Sequence, residues 1–293
     1  MAMKFVKGFK KFTINLLAIL ISGLFRKQLR NVVRIEGGLG SQLISFLAYK
    51  QLRISNPNIR LEVSYFTGRN LNQGENTSSL WSWELDKYGI SIDEFSKTAK
   101  FYDKYMGKIL SKREGDKLLL WDIFKNMEKS KFSEEFPLLP GVTNFLASYG
   151  LSVTEKYAVM HVRRGDYLKV STRIYNVDES MDIFLRLENF TEGPLFITSD
   201  DEFSENEKKK LSMKIRPRVV YFISRDIDLH IVHGLMRNAK MLITSNSTFS
   251  WTAGLMSTNK DAFIVSPTNF FKDNDYINNN LFRVESKWMI QKN

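Results

Sequence analysis

Two adjacent arginines, Arg163 and Arg164, are the residues of this chain with the clearest chemical potential. They follow an apolar, strand-like run at residues 157–160, and His161 and Asp166 flank them. In open α/β folds, ligands bind where the strands end. A guanidinium group stays charged and presents a planar fork of donors that fits two phosphate oxygens at a time. The pattern therefore predicts a diphosphate pocket; the simpler alternative is a strand end with solvated arginines.

Two further predicted strands in the second half of the chain end in polar clusters. Asp200 and Asp201 follow the predicted strand 194–199, and the run SNSTFSW at 245–251 follows the predicted strand 240–244. The carboxyl ends of parallel strands share one edge of a sheet, so these clusters should converge with the arginines. The candidate donor-binding residues at this edge are His161, Asp200, Asp201, Asn246, Ser247, Thr248 and Phe249.

The run at 245–251 has the composition of an anion-binding turn. Ser247 and Thr248 precede a helix predicted to begin near Phe249, where free backbone N–H groups and the helix dipole favour negative charge. Together with the arginines, this turn would hold a diphosphate without a metal ion. Asp200 and Asp201 would accept hydrogen bonds from ribose hydroxyls or a base edge, or would instead cap the helix that follows them.

The elements that would position these residues alternate between strand and helix. From residue 156 onward, strands are predicted at 157–162, 194–199, 218–223, 240–244 and 262–265, as in a doubly wound parallel sheet. The first half opens with strand 31–36, the glycine turn GGLG at 37–40 and a helix over 41–51, followed by strand 60–65. This is the first unit of a Rossmann-like domain, although Leu43 breaks the dinucleotide fingerprint.

Three segments follow from this pattern: residues 1–30, a Rossmann-like domain over 31–150 and a second one over 151–293. Aromatic residues gather between Trp81 and Tyr105. Such side chains stack on sugar rings when exposed, but most are core residues.

Composition excludes several classes of protein. The chain has 293 residues, no cysteine, three histidines and a net charge of +11. Thiolate catalysis and thiolate metal sites are therefore ruled out, and no His-x3-His pair indicates zinc. The positive charge suits nucleotides or anionic lipid, and no RNA-recognition or zinc-finger pattern supports nucleic acid as a partner.

The N-terminal segment has a distinct charge pattern. The fourteen residues from Phe12 to Phe25 carry no charge and lie between two basic clusters. A spanning helix needs about 20 apolar residues, so this run is short for one. It is better suited to lying on an anionic bilayer, which predicts a cytoplasmic, peripherally membrane-associated protein. The alternative is a helix packed on the domain.

Three motifs together resemble one known family. GGLGSQ at 37–42, HVRRGDY at 161–167 and NSTFSW at 246–251, in this order, are similar to the α-1,2-fucosyltransferases of glycosyltransferase family 11. The likeness covers residues 31–290. The arginine and NSTFSW motifs are specific in combination, and the glycine motif supports them.

The resemblance implies an α/β fold of the GT-B type, with two Rossmann-like domains, parallel sheets and a cleft between them. It implies an inverting galactoside 2-α-L-fucosyltransferase that takes GDP-fucose as co-substrate, with no metal or other cofactor. The acceptor would be a galactose-containing glycan, for example a lipid-linked oligosaccharide in polysaccharide biosynthesis. Ser247 and Thr248 would bind phosphate, and the glycine loop residues Gly38, Gly40 and Gln42 would contact donor or acceptor.

The same resemblance assigns catalytic roles. Arg163 and Arg164 would neutralise the departing GDP, with His161 beside the nucleotide. The resemblance does not assign the general base; by position at the end of a predicted strand facing the cleft, Asp166 is the first candidate and Glu36 the second. The sequence departs from the family at Ser41, where Asn is usual, and at residues 252–253. Val232 also stands where Asp is common, and Asp228 lies one helical turn earlier.

The sequence is also compatible with two other functions. Asp226-Ile227-Asp228 follows a predicted strand, as the metal motif of a GT-A-type glycosyltransferase would, although apolar spacing from Ile227 onward predicts a helix capped by Asp226. The second alternative is a glycan- or membrane-binding module that has lost catalysis.

Overall fold

The computed structural model describes residues 32–67, 81–96, 135–164, 177–187, 192–215, 218–267 and 288–291. The segment 1–30 and Asp166 lie outside these ranges. The chain divides into two compact units, residues 1–127 and 128–293, whereas the sequence pattern placed the division near residue 150. Within the described residues, we find no helix with the length and apolarity needed to span a membrane.

The first unit contains the predicted strand, glycine turn and helix. Its strands β1 and β2 are parallel, with Val32 opposite Arg60 and Arg34 opposite Glu62. Gly37 takes a φ of 81°, a conformation that glycine adopts without strain. The described elements of this unit are β1 (Val32–Arg34), α1 (Leu39–Ser55), β2 (Arg60–Glu62), α2 (Ser64–Thr67), a 3₁₀ helix (Leu85–Tyr88) and α3 (Asp93–Ser96).

The second unit is built on a parallel sheet of six strands. The described elements are α4 (Pro140–Ser148), β3 (Ala158–Val162), α5 (Val177–Leu187), β4 (Leu195–Ser199), α6 (Glu205–Lys214), β5 (Val220–Ile223), α7 (Leu229–Asn238), β6 (Met241–Ile243), α8 (Thr248–Leu255), β7 (Phe263–Pro267) and β8 (Trp288–Gln291). The five strands predicted for this half are thus confirmed within a few residues, and β8 was not predicted.

The order of these strands determines where a ligand would bind. The sheet runs β5-β4-β3-β6-β7-β8, so the chain adds β4 and β5 on one side of β3 and then places β6 on its other side. This is the doubly wound order of Rossmann folds, and the direction of winding reverses between β3 and β6. The crevice outside the carboxyl ends of these two strands is the expected ligand site.

The core lies on both faces of the sheet. Met160 of β3 packs in a cluster with Met181 and Phe184 of α5. Val159, its neighbour in sequence, belongs to the cluster on the other face, with Leu235 of α7. Burial on both faces explains the unbroken apolar runs of β3, β4 and β6, because neither face of these strands meets water. Polar chemistry is therefore confined to the strand ends.

The predicted helix cap at Asp226 is wrong, and the alternative of a cap at Asp200 or Asp201 is excluded as well. The cap of α7 is Asp228, whose side chain accepts a hydrogen bond from the His230 backbone N–H at 2.8 Å, and not Asp226. The cap of α6 is Ser204, so neither Asp200 nor Asp201 takes that role. In both cases the turn after the strand is longer than the apolar pattern indicated.

Candidate functional site

The polar ends of β3 and β6 meet at the reversal of strand order. Met160 lies opposite Ile243, which brings both carboxyl ends to one level. The His161 Nδ1 atom is 2.7 Å from the Ser245 hydroxyl, and this buried hydrogen bond joins the two segments. We refer to residues 161–164 and 245–249 as the switch-point site. Their convergence was predicted; Ser245 as the partner of His161 was not.

Asp200, at the end of the neighbouring strand β4, fixes the turn that carries the arginines. Its Oδ2 atom is 3.0 Å from Arg163 Nη1, and its Oδ1 atom accepts the backbone N–H of Arg164 at 2.7 Å. The carboxylate thus contacts both arginines at once, which orients the Arg163 side chain at the edge of the sheet. Asp201 does not share this role, because its carboxylate accepts the backbone N–H of Glu202 at 3.0 Å.

Arg164 has different surroundings from Arg163. Its Nη2 atom forms an ion pair with Glu207 at 3.0 Å, and its guanidinium lies 4.6 Å from the centroid of the Phe203 ring. Ser204 and Arg164 hold the pKa of Glu207 below its usual value, chiefly through hydrogen bonds from the Ser204 backbone and hydroxyl. Arg164 therefore connects the end of β3 to α6. The sequence did signal Glu207, because Ser204 and Glu207 form a capping box.

His161 is a neutral group in this site. The side chain is buried, and burial together with the charge of Arg163 lowers its pKa to about 3. Its ring lies 5.7 Å from the Phe249 ring, centroid to centroid. A neutral imidazole next to Arg163 adds hydrogen-bonding capacity without further charge.

The turn after β6 presents the N-terminus of α8. Ser247 is the N-cap, and its hydroxyl oxygen accepts the backbone N–H of Phe249 at 3.4 Å. The Ser250 hydroxyl accepts the Ser245 backbone N–H at 3.2 Å, which fixes the turn from within. Asn246 is buried in the same turn. The first N–H groups of a helix lack intrahelical partners, so this turn offers donors and a favourable dipole to an anion.

The glycine loop residues belong to the first unit. Gln42 is buried, and its side-chain amide donates to the carbonyls of Gly37 and Ser82, both at 2.8 Å. Its carbonyl oxygen accepts the backbone N–H of Glu84 at 2.9 Å. Through these hydrogen bonds, Gln42 connects residues 82–84 to the glycine turn. Gly40 is buried within α1.

Glu36, the second candidate for the general base, lies just beyond β1. Arg34 Nε is 3.2 Å from Glu36 Oε2 and 3.7 Å from Glu62 Oε2. Glu62 is buried on β2, whereas Glu36 is 39% exposed. Asp166, the first candidate, lies outside the described residues.

The sheet order and the hydrogen bond between His161 and Ser245 place the arginine turn and the turn before α8 together at the switch point of an α/β fold. The profile of glycosyl transferase family 11 matches residues 125–289, more than half of the chain and all of the switch-point site. The chain belongs to this family, as its motifs predicted. It is therefore a glycosyltransferase with an α/β fold and parallel sheets.

Comparison with curated protein sequences gave no match. Solved structures similar to this chain include POFUT1 in complex with GDP, at 11% identity and a TM-score of 0.40, over 77% of this chain and 94% of that chain. POFUT1 in complex with GDP-fucose is 12% identical, with a TM-score of 0.43, over 80% and 96%. The E. coli ADP-heptose LPS heptosyltransferase II is 9% identical, with a TM-score of 0.48, over 89% of each chain. The family assignment rests on the sequence match.

Proposed function

We propose that this protein is an inverting galactoside 2-α-L-fucosyltransferase that uses GDP-fucose. The observation that carries the proposal is the hydrogen bond between His161 and Ser245 at the switch point, which joins the segment that bears Arg163 to the turn that leads into α8. Family membership supports the reaction class. The likeness of its motifs to the α-1,2-fucosyltransferases supports the donor and the linkage.

The residues suit the charge that develops in this reaction. As the bond from fucose C1 to the β-phosphate oxygen breaks, the diphosphate gains negative charge and the sugar gains positive charge. Arg163 stabilises the leaving diphosphate, and the Ser247 and Thr248 end of α8 binds the same oxygens. Because these groups already supply positive charge, we propose that transfer requires no metal ion. His161, Asn246, Phe249 and the Asp200–Asp201 turn complete the donor site.

The acceptor hydroxyl attacks C1 from the face opposite the diphosphate, which inverts the configuration at that carbon. Its proton passes to a carboxylate, for which Asp166 is our first assignment and Glu36 our second. Asp228, part of the alternative metal motif, is already engaged as the cap of α7 and hydrogen-bonded to His230.

A transfer assay tests this proposal. The protein is incubated with EDTA, a panel of sugar nucleotides and lactose, and GDP release is measured together with NMR of the product. We expect turnover with GDP-fucose and an α-1,2 linkage on galactose. Turnover that needs added manganese would support the GT-A-type alternative. Lactose binding without turnover for any donor would support a non-catalytic module.

We also propose that residues 1–30 bring the enzyme to an anionic membrane surface, on the basis of their uncharged run between basic clusters. Each Lys or Arg near such a surface contributes up to about 1 kcal/mol, and salt screens that contribution. Removing residues 1–28 should therefore abolish binding to phosphatidylserine vesicles and leave transfer to lactose intact. Loss of transfer or aggregation of the truncated protein would place the segment in the domain core instead.

A further inference from the structure

The structure separates two tryptophans that the sequence could not distinguish. Trp83 is partly buried, donates its indole N–H to the carbonyl of Ile90 at 2.8 Å and packs edge-on against Phe66 at 5.3 Å. It is a packing residue. Trp81, two positions earlier, is 40% exposed, although its side chain is among the largest apolar groups of the chain.

Gly38 of the glycine turn lies in close contact with the ring of Trp81. A Cβ atom added to Gly38 would lie 3.0 to 3.2 Å from three adjacent ring carbons of Trp81. Nearly equal distances to neighbouring ring atoms place Gly38 over a face of the indole. The φ of Gly38 is −78°, which any residue adopts, so the glycine serves close approach and not an unusual backbone angle.

Gln42 holds the tryptophan segment in place. Its amide nitrogen donates to the Ser82 carbonyl and its amide oxygen accepts the Glu84 backbone N–H, and these two bonds fix the backbone that follows Trp81. Burying an amide is costly unless all its groups are bonded, and here both its donor and acceptor atoms are used on backbone groups. The backbone that follows Trp81 is therefore fixed by Gln42, Gly38 lies against the indole ring, and 40% of the residue's surface is exposed.

The position and the neighbours of Trp81 suit a saccharide. Gly38 follows the carboxyl end of β1 and precedes α1, which is the edge where units of this kind bind ligands. The Ser82 hydroxyl donates to Glu84 Oε1 at 2.6 Å, so a hydroxyl and a carboxylate lie close to the ring in sequence. An aromatic surface for the C–H face of a sugar, with a hydroxyl and a carboxylate on residues that closely follow it in the chain, is the composition of a carbohydrate site.

We propose that Trp81 is the stacking surface for a sugar ring of the acceptor, and that Gly38 and Gln42 position it. The identity of that sugar as a β-galactoside rests on the proposed function. Trp81 is thus proposed to bind the acceptor, whereas the switch-point site is proposed to bind the donor.

Kinetics with lactose as acceptor provide the first test. Trp81→Ala should raise the KM for lactose about tenfold and leave GDP affinity and the melting temperature unchanged, and Trp81→Tyr should retain most of the affinity. Ile54→Ala is the matched control, because it removes another exposed apolar side chain, 78% exposed, from the same unit. An unchanged KM in Trp81→Ala, or an equal rise in the control, would overturn the proposal.

Gly38→Ala gives an independent readout. The added methyl group should displace the indole and raise the KM for lactose in the wild-type background, but add little when Trp81 is already alanine. Additive effects in that double-mutant cycle would contradict a role exerted through Trp81.

Saturation-transfer NMR with lactose alone separates this inference from the proposed function. Lactose bound by the wild type and lost in Trp81→Ala would support the stacking role even if GDP-fucose were not the donor. Lactose bound equally by both proteins, or by neither, would overturn it.

Discussion

Arg163→Lys should lower the turnover number for fucose transfer about thirtyfold or more, equivalent to a loss of at least ~2 kcal/mol of transition-state stabilisation. Lysine keeps the charge but loses the planar fork. In the structure, one edge of the Arg163 guanidinium contacts Asp200, and a fork can contact a phosphate at the same time. The single ammonium group of a lysine would have to contact both Asp200 and the phosphate. The measurement is steady-state GDP release with saturating lactose.

Arg164→Lys is the matched comparison for Arg163→Lys. Arg164 pairs with Glu207 and lies over Phe203, so its replacement should reduce the melting temperature and affect turnover less than Arg163→Lys does. Near-wild-type turnover in both variants would remove the arginines from the reaction. Equal losses of turnover in both, without a change in melting temperature, would contradict the division between them.

Replacing both Ser247 and Thr248 by alanine should weaken GDP binding about thirtyfold. Each hydroxyl hydrogen bond to a charged ligand contributes about 1 kcal/mol or somewhat more. The Ser247 oxygen accepts from Phe249, which leaves its hydrogen to donate to an anion. The affinity is measured by calorimetric titration with GDP in buffer containing EDTA.

Loss of a helix cap also destabilises a protein, and Ser204→Ala controls for that effect. Ser204 caps α6 in a complete capping box, so it caps a different helix from the one that follows β6. Its replacement should cost about 1 kcal/mol of stability and leave GDP affinity unchanged. If Ser204→Ala weakened GDP binding as much as the double variant, the effect would be one of stability and not of contact.

The sheet edge was predictable because parallel strands buried on both faces show as unbroken apolar runs. Those runs located β3, β4 and β6, and the residues after them had to share one edge. The partners of each arginine were harder to predict. Asp200 contacts Arg163 only because β4 lies beside β3, and Glu207 reaches Arg164 from a helix about forty residues later. Sequence spacing does not encode which carboxylate faces which guanidinium.

The tryptophans show the same limit within one short segment. Trp81 and Trp83 lie two residues apart and have the same side chain. Trp83 is partly buried and bonded to Ile90, whereas Trp81 is exposed and lies against Gly38. The residues that follow each tryptophan, Ser82 and Glu84, are bonded to Gln42, which lies about forty positions away in the sequence. The bonds from the Gln42 side chain to the backbone could not be predicted from its place in a helical apolar pattern.

Calorimetric titration of the wild-type protein with GDP in EDTA tests the central claim most directly, because it asks whether the switch-point site binds a guanosine diphosphate by its own charges. We predict one GDP per chain at micromolar affinity, unchanged by added manganese and weakened in the Ser247 and Thr248 double variant. Failure to bind GDP, or binding that appears only with manganese, would contradict the account.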